Sequence, residues 1–140
     1  MNIAIVGATG NVGRKILEVL ENKSFSVDSL YLVASSKSAG SKLKFKGKEI
    51  EVENLETFDF SKSEITFFSA GGKISEKYAP LAAKHSLVID NSSYFRMDPD
   101  VPLIVPEVNS HDLKNYKKKN IIANANCSVI PLVVALKPLH

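Results

Sequence analysis

Apolar residues follow two rhythms along this chain. Short unbroken runs occur at residues 2–6 (Asn-Ile-Ala-Ile-Val), 30–34, 65–68, 87–90 and 121–123, each closed by glycine or polar residues. Such runs read as strands, and the buried ones among them as central strands of a parallel sheet. The second rhythm is helical. From Val12, the apolar positions Ile16, Leu17, Val19 and Leu20 recur on one face, with Glu18 and Glu21 on the wet side. A second helix is predicted over 75–85, with Ser75 as its N-cap and Glu76 in its first turn. Residues 129–139 are apolar and predict the start of another helix, with Pro131 tolerable in its first turn. Two stretches lack either rhythm. Residues 35–48, rich in Ser, Lys and Gly, predict a loop with a weak hairpin around Gly47, and residues 94–111, with Pro99, Pro102 and Pro106, predict an extended ordered loop.

Strands alternating with helices predict an α/β fold: a Rossmann-like, doubly wound, mostly parallel sheet with right-handed crossovers. The polar tails at 7–13, 35–38, 69–72 and 91–93 then share the carboxyl edge, where ligands bind in such sheets. No internal repeat, low-complexity tract or flexible linker interrupts the pattern.

Composition narrows the classes. A length of 140 residues is about one domain. A net charge of +3 with scattered lysines argues against a nucleic-acid partner, and Lys117-Lys118-Lys119 reads as a solvated corner between two elements. No apolar run approaches the roughly 20 residues of a membrane span, and the N-terminus does not read as a signal peptide. A single cysteine excludes an internal disulfide and suits a reducing cytoplasm. The histidines at 85, 111 and 140 show no metal-ligand spacing, so no metal site is expected.

The candidate chemistry sits on the strand tails. Gly7-Ala8-Thr9-Gly10-Asn11-Val12-Gly13 follows the first strand and opens the first helix. Its spacing is G-x-x-G-x-x-G, where the commoner dinucleotide fingerprint is G-x-G-x-x-G. A packing turn is the bland reading, but position after a buried strand and before a helix favours a pyrophosphate on the helix N-terminus. The second strand ends in Ser35-Ser36-Lys37-Ser38, with no acid for a ribose 2′-hydroxyl. A cation among hydroxyls suits a 2′-phosphate and so NADP over NAD, with an ordinary loop lysine as the competitor. Cys127, between a strand and a predicted helix, is either an inert core thiol or a nucleophile. The neighbouring Asn124, Asn126 and Ser128, and the positive end of a helix, favour the nucleophile. Arg96, beyond Asn91-Ser92-Ser93, is either a surface arginine or a bidentate holder of phosphate or carboxylate.

Several segments together resemble the aspartate-β-semialdehyde dehydrogenase family over nearly the whole chain: 7–13, 36–40 (Ser-Lys-Ser-Ala-Gly), 68–72 (Phe-Ser-Ala-Gly-Gly), 88–109 and 121–128 (Ile-Ile-Ala-Asn-Ala-Asn-Cys-Ser). The related N-acetyl-γ-glutamyl-phosphate reductases do similar chemistry but differ around their cysteine, and an enzyme like them is kept as an alternative. The resemblance implies NADPH-dependent reduction of L-aspartyl-4-phosphate to aspartate semialdehyde with release of phosphate, on the route to lysine through diaminopimelate, threonine and methionine. It implies Cys127 as the thioester-forming nucleophile and Asn126 as its active-site neighbour. Cofactor contacts would come from Gly7, Thr9, Gly10, Asn11, Val12, Gly13, Ser36, Lys37, Ser38, Ala70 and Gly71. Arg96, with Asn91 and Ser92, would hold the substrate phosphate. The chain departs from the family in carrying Ala125 and Val129 where proline and threonine are usual, and Lys37 where arginine is common.

The resemblance also implies a division: an NADP-binding domain over 1–126, then the start of a catalytic and dimerising domain over 127–140. The remainder of that domain normally supplies a base histidine, a glutamine and further basic residues, and makes a homo-oligomer. None of the three histidines here takes that histidine's place. A nucleotide-binding fragment without turnover is therefore kept as an alternative, and a ligand-free structural fragment as a weaker one. The apolar tail after 129 is expected to fold back on the sheet or to drive association.

Overall fold

A computed structural model describes residues 1–23 and 25–139. Its centre is one sheet of eight strands: β1 (Asn2–Val6), β2 (Ser29–Ala34), β3 (Lys42–Phe45), β4 (Lys48–Asn54), β5 (Ile65–Phe68), β6 (Leu87–Asp90), β7 (Leu103–Ile104) and β8 (Ile121–Asn124). The order across the sheet is β3-β4-β2-β1-β5-β6-β8-β7. Every pairing is parallel except the β3–β4 hairpin. The helices are α1 (Asn11–Asn22), α2 (Gly72–Ala82), α3 (Pro106–Asn109) and α4 (Val129–Leu136), with short 3-10 turns between. This is the Rossmann-like α/β architecture expected, and β1 stands at the point where the strand order reverses.

Alternation along β1 builds two cores. Ile3 and Ile5 point to one face, where Leu17 and Leu20 of α1 meet Leu32 and Val52. Ala4 and Val6 point to the other, among Val33, Phe68, Val88, Ile121 and the small residues Ala79 and Ala82 of α2. The aromatic side chains Phe58, Phe60 and Phe68 extend this second core, Phe58 meeting Phe60 edge-on at 5.2 Å between centroids.

The sequence overstates how evenly the two faces are covered. β5 and β6 alternate half-buried with buried residues, and β8 does the reverse. One face of these strands packs under α2, while Phe67 and Ile89 line an open groove of about 580 Å³ beside α1. Val19, read from its spacing as an inward residue, is 43% exposed and lines the same groove.

Three local expectations change. The stretch 35–48 is more than a loop: the hairpin at Lys46–Gly47 is real and joins β3 to the seven-residue strand β4, which pairs in parallel with β2. The stretch 94–111 is a 3-10 turn at Tyr94–Met97, then β7, α3 and the beginning of a longer 3-10 segment, Ser110–Lys118. Ser75 is not an N-cap. The helix starts at Gly72 with Gly71 as its cap, and Ser75 lies fully buried within it, donating to Asp90.

The lysine run at 117–119 is not a corner after that 3-10 segment but its last turn and C-cap, and two of its members are paired. Lys118 bonds Asp100 at 3.1 Å and Lys119 bonds Asp98 at 2.6 Å. The apolar tail does form a helix from Val129, with Pro131 in its first turn. It rests beside α3 near Val108 and His111 and leaves the groove beside α1 uncovered. His140 lies outside the described residues.

Candidate functional site

Parallel register brings the predicted strand tails to one edge. Val6 pairs with Val33 and Phe68, Phe68 with Asp90, and Asp90 with Ala123. The residues that follow these positions therefore leave the sheet side by side.

The glycine turn is built by packing as much as by conformation. Gly7 has φ +85° and donates its N–H to the Val33 carbonyl at 2.8 Å, so the turn is tied to the end of β2. A Cβ on Gly13 would lie 2.3 Å from the Gly7 carbonyl oxygen and 2.7 Å from Ala8 Cα, so the helix crosses the turn at backbone contact. Gly10 differs, since a Cβ there would meet only the Gly7 oxygen, at 3.4 Å. Packing does not demand glycine at position 10. What its bare Cα leaves open is approach to the leading amides of α1.

The first intrahelical bond of α1 is Arg14 N–H to the Gly10 carbonyl. The amides of Asn11, Val12 and Gly13 precede it and project ahead of the helix, where its dipole is positive. No acidic residue occupies that first turn. Thr9 lies on the same turn, and its carbonyl accepts from Arg14 Nε at 3.1 Å. These features fit a dinucleotide's pyrophosphate.

Ser36, Lys37 and Ser38 follow β2 in a turn closed by Ser38 N–H to the Ser35 carbonyl at 2.9 Å. The Lys37 side chain is exposed and makes no hydrogen bond or ion pair among the described residues. Ala70 and Gly71 lie beyond β5, where Ser75 N–H to the Gly71 carbonyl begins α2.

Beyond β6, Asp90 is fully buried and its carboxylate accepts three bonds: from Ser75 Oγ at 2.7 Å, Ser92 N–H at 3.0 Å and Ser92 Oγ at 2.6 Å. Ser92 Oγ in turn accepts Tyr94 N–H at 3.2 Å. Ser92 is thus occupied in holding the turn that carries Arg96, and its hydroxyl does not face outward as a phosphate ligand would. Arg96 is half-buried and fixed. Its Nε donates to the Asn124 carbonyl at 3.0 Å and its Nη2 to the Asn91 carbonyl at 3.2 Å. It is not a free surface arginine.

At the end of β8 the Asn126 carbonyl accepts the amides of Val129 and Ile130, at 2.9 and 3.0 Å, and so starts α4. Asn126 Oδ1 accepts Ser128 N–H at 2.9 Å. Cys127 sits at this helix start, exposed, with Sγ 3.8 Å from Asn126 Oδ1. The core-thiol reading is thereby removed. In the sequence, Asn124 is only a polar neighbour of Cys127. The structure adds that its side chain donates to Asn91 Oδ1 at 2.7 Å while its carbonyl holds Arg96. The available signal was an asparagine at the tail of each of two adjacent strands.

Among the described residues no three His, Cys, Asp or Glu side chains gather to hold a metal ion, and no helix is long and apolar enough to cross a membrane. His85 lies between α2 and β6, at the amino edge and away from the site, and His111 lies on the 3-10 segment at 110–118.

Comparison with known proteins agrees with this geometry. Residues 2–116 match the family described as semialdehyde dehydrogenase, NAD binding domain. The chain is 58% identical to the aspartate-semialdehyde dehydrogenase of Aquifex aeolicus over 140 residues, covering 99% of this chain and 41% of that protein. The crystal structure of aspartate semialdehyde dehydrogenase II of Vibrio cholerae complexed with ASA superimposes with a TM-score of 0.96. It is 52% identical, with 99% of this chain and 45% of that one covered. The Candida albicans aspartate semialdehyde dehydrogenase solved with NADP gives 0.71 at 28% identity, with 99% and 46% covered. The chain thus spans less than half the length of these relatives, and it belongs to the semialdehyde dehydrogenase NAD-binding domain family.

Proposed function

We propose that the chain is the nucleotide-binding half of an NADP-dependent aspartate-semialdehyde dehydrogenase, the enzyme that reduces L-aspartyl-4-phosphate to the semialdehyde and releases phosphate. The observation that carries the reading is the shared edge, where the glycine turn, the fixed Arg96 and the exposed Cys127 all leave parallel strands. A relative of this fold was solved with NADP, which supports the choice of cofactor. Residues 1–126 form the cofactor domain in this reading, and 127–140 begin a catalytic and dimerising domain.

The leading amides of Asn11, Val12 and Gly13 receive the pyrophosphate, Gly7, Thr9 and Gly10 shape the turn that presents them, and Ala70-Gly71 line the next strand tail. Ser36, Lys37 and Ser38 take the 2′-phosphate, Lys37 as a point charge. Bound NADPH supplies the hydride that converts the acyl group to an aldehyde. The chain's own residues do the rest. Cys127 attacks the acyl carbon, the C–S bond forms and the C–O bond to phosphate breaks; once the acyl carbon has gained hydride, the C–S bond breaks and Cys127 leaves as thiolate. Arg96 carries the charge of the departing phosphate, with Asn91 fixing its guanidinium, and Asn126 orients the loop that presents the thiol.

Proton transfer to and from the substrate needs a general acid/base, worth roughly 10²–10⁴-fold. No described histidine lies at the site, which favours a second reading for the 140-residue chain taken alone: it binds nucleotide without turnover. The test is phosphate-dependent reduction of NADP with aspartate semialdehyde. Binding of NADP with rates at background is expected. Robust turnover would refute the need for residues beyond this chain, and absence of NADP binding would sink the leading reading.

A further inference from the structure

Arg96 is held by main chain at a place where sheet pairing has just ended. Its Nε and Nη2 donors, on the side edge of the guanidinium plane, are both spent on carbonyls, those of Asn124 and Asn91. The end fork, formed by Nη1 and the second N–H of Nη2, makes no hydrogen bond among the described residues. It is the edge that grips two oxygens of an anion at once. Where that fork points depends on the spacing of the two carbonyls. The β6–β8 register closes at Asp90–Ala123, and Asn91 and Asn124 lie one residue further on. There the side chains take over, with Asn124 Nδ2 bonded to Asn91 Oδ1 at 2.7 Å.

We propose that Asn124 is a positioning residue for Arg96: its amide, joined to Asn91, sets the separation of the two carbonyls that aim the free guanidinium fork, so it controls anion binding without touching the anion. The inference rests on the reading of Arg96 as the holder of the substrate phosphate. The chemistry asks for a donor at 124 and an acceptor at 91, which a pair of asparagines supplies in one rung. Substituting either side chain leaves both carbonyls in place. What is lost is their fixed spacing, and with it the preorganisation of the fork.

The sequence has two arginines, Arg14 and Arg96, so the Arg96 Nε–H resonance is identified in the ¹⁵N-labelled chain by comparison with Arg14→Lys. The order of that N–H and the affinity for inorganic phosphate are measured for Asn124→Ala, Asn91→Ala and the double variant. The backbone amide spectrum and thermal midpoint report folding. Each single variant should mobilise Arg96 Nε–H and weaken phosphate about tenfold, the scale of one hydrogen bond. The double variant should do no worse than either single one, because one shared bond is lost in all three. A folded Asn124→Ala chain with Arg96 order and phosphate affinity unchanged overturns the proposal, as do additive losses. Should Asn124→Ala fail to fold, Asn91→Ala removes the same bond from the neighbouring strand. If Arg96 is ordered in the parent chain yet phosphate does not bind, the anion role of Arg96 fails, while the Nε–H measurement still decides Asn124.

Discussion

Residues that look alike in the sequence carry different burdens in the fold, and the glycine turn makes this measurable. Gly13→Ala drives a methyl group into backbone at 2.3 Å, so it should cost about 1–3 kcal/mol or more in a urea titration. Gly10→Ala has room at 3.4 Å and should cost under about 1 kcal/mol, yet weaken NADP by calorimetry because the methyl group shields the leading amides. Equal stability losses for the two would contradict this division of roles. Lys37→Ala should weaken NADP more than NAD, and equal losses would refute a 2′-phosphate contact. Asp98 shows a charge effect at the same scale. The Lys119 ammonium beside it holds its carboxyl below the ordinary carboxylate range. A depressed folded-state pKa adds stability above the unfolded value, roughly pH 4, and that stability is lost as pH falls through the folded value. Urea midpoints should therefore decline below about pH 4, and Asp98→Asn should flatten that part of the curve.

The elements show which parts of the pattern were legible. β1, β5, β6 and β8 could be placed from their apolar runs because burial on at least one face leaves a continuous signal. β3 and β4 showed only as a weak hairpin around Gly47, because as outer strands they read Lys-Leu-Lys-Phe and Lys-Glu-Ile-Glu-Val-Glu-Asn, where alternating charge resembles loop composition. The start of α2 was hidden by its own glycines. Ser75 looked like a cap because serine often is one, but its hydroxyl serves a partner fifteen residues away in sequence. That is a contact no local pattern reveals. In the site, the residue types and the shared edge were legible, whereas the clamp on Arg96 depends on register between β6 and β8 and was not. The Asp90 network ties α2 to the turn bearing Arg96. Ser75→Ala removes one bond to a buried carboxylate and should cost about 1.5–3 kcal/mol in chemical denaturation, with little change in NADP affinity.

At the scale of the whole molecule, two apolar surfaces lie uncovered among the described residues. One is the groove beside α1. The other is α4, with Leu132 and Leu136 about half exposed. Continuous apolar exposure of this kind favours association. The 140-residue chain should self-associate as its concentration is raised in sedimentation runs, and Leu132→Glu with Leu136→Glu should shift it toward monomer. An unchanged distribution would move the association surface to the groove.

The central place of β1 bears on how the chain assembles as it is synthesised. Reading from β1, the chain lays β2 on one side, then β4 beyond it. It next returns to add β5 on the other flank, followed by β6 and β8. Only β3 and β7 must wait for the strand they pair with. Growth proceeds outward from the first strand, so each emerging segment finds an open sheet edge already formed, at synthesis rates of roughly 5–20 residues per second. The glycine turn at 7–13 gains both flanking strands once residue 68 has left the ribosome. The turn proposed to hold the pyrophosphate can thus mature before Arg96 or Cys127 has emerged.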